Sequence, residues 1–177
     1  SSGNVGIGVV PEAWSSLYGT KALQVGAQAS LSDINGDLHL SSNAYYDATN
    51  ARWEYINADY ATKYTQVDGV HQWLTAASGT ADAAITWSES MRIDSSGNLL
   101  VGVTSTTIPG IGNTTNGVSI RSGGNNSIAI SRDGDVAGYF NRNTSDGSIA
   151  EFRKAGSTVG SIGSVSGIDL FIAGNRS

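Results

Sequence analysis

The chain has 177 residues, a formal net charge of −5 and only 14% charged side chains. Its ten Lys and Arg are scattered, with only Arg153 and Lys154 adjacent, which leaves no basic footprint for nucleic acid or an anionic membrane surface. No apolar run approaches the roughly 18 residues of a spanning helix, so membrane insertion is not expected. Cysteine is absent, which excludes disulfides and thiolate metal sites and suits a chain made in a reducing cytosol. The 23 glycines stand against only 2 prolines, in a background that is 39% hydrophobic. That balance points to many short strands joined by tight turns rather than to a disordered linker.

In chain order, Val5 to Val10 is apolar and leads into Pro11-Glu-Ala-Trp-Ser-Ser-Leu-Tyr18. Proline followed by Glu is acceptable start chemistry for a single helical turn there. Ala22 to Val25 then reads as a strand. From Ala29 the alternation sharpens around Ile34-Asn35-Gly36-Asp37, and Asn-Gly between apolar strands predicts a type I′ hairpin. Asp68-Gly69 predicts a second hairpin between Tyr64–Val67 and Val70–Trp73. Between them, Asn50 to Thr62 has no glycine or proline. Trp53, Ile56 and Tyr60 would make a helical stripe, whereas Trp53 and Tyr55 suit a strand.

Met91 and Ile93 alternate with Arg92 and Asp94, Ser95-Ser-Gly-Asn98 supplies a turn, and Leu99 to Val103 runs on as the returning arm of a hairpin. The stretch Ser1-Ser-Gly-Asn-Val-Gly-Ile-Gly-Val9 matches Ser95 to Val103 at six of nine positions. Thr104 to Thr115, small and polar with Pro109, suggests a boundary, which divides the chain into 1–30, 31–104 and 105–177. Beyond it, turn signals at Gly123-Gly124, Asp133-Gly134, Asp146-Gly147, Ala155-Gly156 and Ser166-Gly167 fall 9 to 13 residues apart. Strands are expected between them at Val118–Ile120, Ile128–Ile130, Val136–Phe140, Ile149–Phe152, Val159–Ile162 and Ile168–Ile172. The expected fold class is all-β, a short-strand meander with β-prism or triple-β-helix-like segments; a sandwich or solenoid would share the spacing.

Each such strand offers two or three apolar side chains per face. At ~25 cal/mol per Å² buried, one layer would scarcely offset ~1–2 kcal/mol of backbone entropy per residue. A lone thin sheet also exposes its edges. Stacking several copies around an axis is the remedy, and an elongated parallel homotrimer with a dry apolar core and a Ser/Thr/Asn exterior is expected.

Aromatic residues concentrate in Tyr45 to Trp87. Tyr45, Tyr46, Trp53, Tyr55, Tyr60 and Trp73 are the candidate ligand-binding residues, a ledge on which sugar rings would stack. The alternative is that they are core, which the alternation of Val70/Gln72 with His71/Trp73 favours. Asp33 with Asp37, and Asp133 with Asp135, superficially resemble calcium loops but lack the spacing and the closing Glu, and turn chemistry accounts for them. Glu54 with Asp59, or Glu89 with Asp94, would have to face one another across a cleft to act as a glycosidase pair; solvated strand faces are the simpler reading. His39 and His71 sit among apolar neighbours as buried or rim residues. No serine occupies a Gly-x-Ser-x-Gly elbow, and Gly6-Ile-Gly8 lacks the third glycine of a dinucleotide site. Neither catalysis, a metal nor a cofactor is expected.

Several of these words resemble a known group. Arg92-Ile-Asp-Ser-Ser-Gly-Asn-Leu-Leu-Val-Gly102, its echo at Ser1, Tyr64-Thr-Gln-Val-Asp-Gly-Val-His-Gln-Trp73, and Tyr139-Phe-Asn-Arg-Asn-Thr-Ser-Asp-Gly147 with Phe152-Arg-Lys-Ala-Gly156 are similar to the recurring signature of bacteriophage tail-fibre and tailspike-like proteins. The resemblance covers most of the chain after Asn43. It implies a homotrimeric shaft segment of the virion tail, assembled in the host cytoplasm and extracellular when mature. Other virion tail proteins and a host surface glycan or protein would be its partners. Fibres of this type are often followed by an intramolecular chaperone that releases itself just after a serine, which would make Ser177 a release terminus. A polysaccharide-degrading tailspike and a bacterial surface adhesin are the alternatives.

Overall fold

The computed structural model describes residues 3–104, 107–122, 126–167 and 169–174, so the Gly123-Gly124 turn and Ser177 lie outside the described residues. The protein is all-β, with sheets that do not close into a barrel. Among the described residues, twelve strands precede Gly134: β1 (Val5–Ile7), β2 (Lys21–Val25), β3 (Ala29–Ile34), β4 (Asp37–Ser42), β5 (Ala44–Tyr46), β6 (Trp53–Tyr55), β7 (Ala61–Val67), β8 (Val70–Ala76), β9 (Ser88–Ile93), β10 (Leu99–Val101), β11 (Gly117–Arg121) and β12 (Ser127–Ser131). Ten of them form one sheet in the order β1-β2-β3-β4-β7-β8-β9-β10-β11-β12, while β5 and β6 pair separately. Only the β1–β2 pairing is parallel; every later pair in this sheet is antiparallel.

The expected turns form as their chemistry requires. Asn35 and Gly36 both take positive φ (59° and 86°), as do Asp68 and Gly69 (50° and 75°), which is the type I′ condition at each hairpin. In the β9–β10 hairpin the Asp94 carboxylate accepts the backbone N–H groups of Ser96 and Asn98, each at 2.9 Å. Asn98 Oδ1 in turn accepts Ser122 N–H, and Asn4 Oδ1, at the matching place in the echo, accepts Ala22 N–H. The repeated asparagine thus performs one task twice, fastening its strand to a neighbour.

Three expectations need correction. The helical turn forms at Leu17–Gly19, as a 3-10 turn, and not from Pro11. The backbone around Trp14 is instead extended, because Ser15 N–H donates to Tyr46 O and Ala48 N–H to Ala13 O. Val136 to Phe140 forms no strand: no neighbouring strand pairs with it, and Val136, Tyr139 and Phe140 are exposed. The compact units divide after Gly134 rather than within Thr104–Thr115, since β10 pairs with β11 across that stretch.

The second unit is a three-stranded antiparallel sheet of β13 (Gly147–Lys154), β14 (Ser157–Val165) and β15 (Asp169–Gly174). Ala155-Gly156 closes its first hairpin with both residues at positive φ. Ala150, Ile162 and Ile172 stand in register on one face, next to Phe152 and Leu170. Ile172 is 78% exposed and Leu170 70%.

Register in the ten-stranded sheet has an unexpected result. Val5, Leu23, Leu31, Leu40 and Tyr64 stand opposite one another in the first five strands of the sheet. Trp73, Met91, Val101, Val118 and Ile130 continue the same row through the other five. One unbroken line of apolar side chains therefore crosses every strand on one face. That face is the open one: Leu40 is 55% exposed and Val5 53%. Ser32, His39, Thr65 and Gln72 make the corresponding row on the opposite face, and the first three of these are buried. Antiparallel sheets with one solvated face ordinarily turn apolar residues inward and polar residues outward. Here the arrangement is reversed.

The covered face ends in Leu100 and Ser119, both fully buried. Leu100→Ala should cost about 2–5 kcal/mol of stability, the range for an enclosed leucine; urea unfolding followed by tryptophan emission measures it, and a loss below 1 kcal/mol would contradict the burial of this site.

Candidate functional site: an aromatic layer over a polar sheet face

The aromatic segment forms a second, smaller layer over the polar face. Its centre is the β5–β6 hairpin. Trp14 bridges to Asp47 on one side, and Glu54 bridges to Ala84 on the other. Further backbone bonds run from Ile85 N–H to Trp53 O and from Asp82 N–H to Tyr55 O. The layer meets the sheet through matched polar groups: Ser30 and Ser41 share a hydrogen bond of 2.6 Å, and both hydroxyls reach Ala44 O at 3.3 Å. This is why Ser30 and Ser41 can be buried there. Each finds a partner, so the desolvation cost of the hydroxyl is offset.

Trp53 is the hub of the layer. It makes edge-to-face contacts with Trp14 at 6.4 Å, Tyr46 at 5.8 Å, Trp87 at 6.1 Å and His39 at 5.3 Å. The Lys63 ammonium rises from the sheet to 4.2 Å from the Trp53 ring centre and 4.9 Å from that of Trp87. Burial pulls the Lys63 amine down to about 8. The two indole faces favour its charged form and oppose that shift. The same burial, with Lys63 nearby, lowers His39 to about 4, so its imidazole is neutral at pH 7.

Tyr45 is buried, with its hydroxyl 3.1 Å from both Glu54 Oε2 and Asp82 Oδ1. Burial, then those two carboxylates, hold its phenol well above the usual range, so it stays a donor. Glu54, also buried, accepts from Asn50 Nδ2 at 2.9 Å and Arg52 Nε at 2.8 Å. Tyr55 is buried too and donates to Ala77 O.

Comparison of the chain with protein-family models, curated proteins and solved structures returns no match.

The six candidate ledge residues do not form one surface. Tyr45 and Tyr55 are buried in the layer, Trp53 is half-buried at its hub against the sheet, and Tyr46 is half-buried at the rim. Tyr60 stands in the loop before β7, 68% exposed. Trp73 lies on the other face of the large sheet, its ring centre 5.1 Å from that of Tyr64 with the planes tilted by 45°. The candidate acid pairs are engaged in structural bonds. Asp59 accepts Tyr60 N–H, Glu89 pairs with Arg92 and accepts from Gln72, and Asp94 clasps its turn. Asp33 accepts Gly36 N–H within the first hairpin, as turn chemistry requires. His71 shares a hydrogen bond with the Tyr64 hydroxyl. Among the described residues, no three His, Asp or Glu side chains gather within reach of one ion.

Sequence reasoning missed Lys63 and the part played by Trp14. No local pattern marks a lysine that will sit beneath two indoles brought from 10 and 24 residues away in sequence. A buried neutral His39 has a consequence for stability. The unfolded imidazole takes up its proton near 6.5 and the folded one only near 4, so stability is complete above pH 6.5 and falls as pH drops toward 4. The loss should reach about 3 kcal/mol. Urea midpoints at pH 7 and pH 4 measure it, and His39→Gln should flatten the difference; an unchanged slope in that variant would contradict the assignment.

Proposed function

We propose that the chain is a structural segment of a bacteriophage tail fibre, part of a trimeric shaft that carries host attachment and performs no catalysis. The observation that carries this reading is the reversed sheet: hydroxyls are roofed over within one chain, while a row of ten apolar residues stays open. A soluble monomer rarely leaves so long an apolar strip uncovered, and such strips mark places where proteins meet. A second uncovered apolar face, around Leu170 and Ile172, repeats the feature in the other unit. The Ser/Thr/Asn-rich remainder and the scattered charge suit an extracellular rod, and the motifs from Ser1 and Arg92 resemble those of tail fibres.

In this reading the outer side of the aromatic layer faces solvent, with Tyr46 half-buried in it and Tyr60 exposed in the loop before β7. Attachment to a host glycan or protein would use the half-buried rings at its rim, with other tail proteins joined along the shaft. Gold-labelled antibody against this chain should decorate the tail appendages of the virions whose genome encodes it. Label confined to a bacterial cell surface would replace the tail fibre with an adhesin.

A further inference from the structure

Three buried polar groups at the boundary between sheet and aromatic layer find no partner in the chain. Ser32 Oγ, His39 Nδ1 and Thr65 Oγ1 make no hydrogen bond, and their residues are 2%, 7% and 2% exposed. Register sets them side by side: Ser32 of β3 stands opposite His39 of β4, and His39 opposite Thr65 of β7. We infer that this row is a binding site for a chain of at least two ordered waters, enclosed between the large sheet and the aromatic layer and bridging the three groups.

The surrounding contacts show why the three unpartnered groups fall together. In the next row of the covered face, Ser30 and Ser41 reach Ala44 O, where the β5–β6 hairpin lays its backbone against the sheet. Over Ser32, His39 and Thr65 the layer presents the Trp53 ring instead, edge-to-face with His39 at 5.3 Å. An indole edge fills space but offers a hydroxyl no lone pair. The ends of the row supply nothing either. Ala22 lies beyond Ser32, and beyond Thr65 the Gln72 amide is taken by Glu89 at 2.9 Å. A hydroxyl buried with no partner carries its whole desolvation cost, and buried waters occur where they relieve such groups.

The spacing selects a chain of waters over a single occupant. Ser32 and Thr65 are two strand spacings apart, ~9.6 Å along the row. Two waters in line between their hydroxyls make three hydrogen bonds of about 2.8 Å each, which spans the row once the hydroxyls lean inward. One of the two also meets His39 Nδ1, so each water has two or three partners, as buried waters do. A lone anion drawn by the nearby Lys63 ammonium could not touch both hydroxyls across that distance.

Ser32→Ala and Thr65→Val remove one hydroxyl each with little change of shape. Urea midpoints of both variants and of the double variant are measured at one fixed protein concentration. The expected result is a lower midpoint for each single variant. The drop in the double variant should be smaller than the two single drops combined, because either change already breaks the chain of waters, although His39 separates the two side chains. A raised midpoint in either single variant would mean that its hydroxyl was truly unpaired and would overturn the inference; so would drops that simply add. Oxygen-17 relaxation dispersion of the solvent counts long-lived internal waters directly. Its amplitude should fall from wild type to the double variant, or to Thr65→Val alone should the double variant not fold. An unchanged amplitude, or a wild-type midpoint that rises with chloride at constant ionic strength, would replace the waters with a dry or halide-filled boundary.

Discussion

The structure depends on strand register. In a pleated sheet successive side chains face opposite ways, and a slip of one residue would exchange the two faces of a strand. Here the turns at Asn35-Gly36 and Asp68-Gly69, and the Asp94–Asn98 clasp, hold the strands so that an apolar residue from each falls on one line. Ser30, Ser32, His39, Ser41 and Thr65 of β3, β4 and β7 fall on the other face. Moving β3 by a single residue would put Ser30 or Ser32 into the strip and Leu31 under the roof.

The roof and the strip are two consequences of that alternation. Under the roof, Ser30 and Ser41 are partnered with Ala44 O, whereas Ser32 Oγ, Thr65 Oγ1 and His39 Nδ1 are buried without a hydrogen bond from the chain, and rings supply the contact area that the small side chains lack. Trp53 joins the parts by touching the sheet at His39, the N-terminal segment at Trp14 and the segment after β8 at Trp87. The aromatic concentration therefore has a role in the fold before any role in recognition. What remains for a ligand is the rim of the layer and Tyr60.

Much of the fold was legible because it was written locally. Glycine after Asn or Asp marks the hairpins, and alternation marks strands such as β3 and β9. The assignment of faces was not local. Alternation in Ala29–Ile34 shows that two faces differ, but whether the serines or the leucines are covered depends on what lies over them, and that layer comes from residues 12–17, 44–55 and 80–87. Trp53–Tyr55 fitted helix or strand by pattern, and pairing with β5 decided it. Val136–Phe140 had the composition of a strand without a neighbour to pair with. The proposed ledge dissolved for the same reason: closeness in sequence put Tyr55 and Trp73 in one group, and the fold placed them in different layers.

The central claim is that one chain does not enclose its own apolar residues and that identical chains share them. Sedimentation equilibrium of the unmodified protein at micromolar concentration tests this most directly. The account predicts a single species with three times the 18.2 kDa mass of one chain. A folded species of one-chain mass, unfolding cooperatively and independently of concentration, would contradict it.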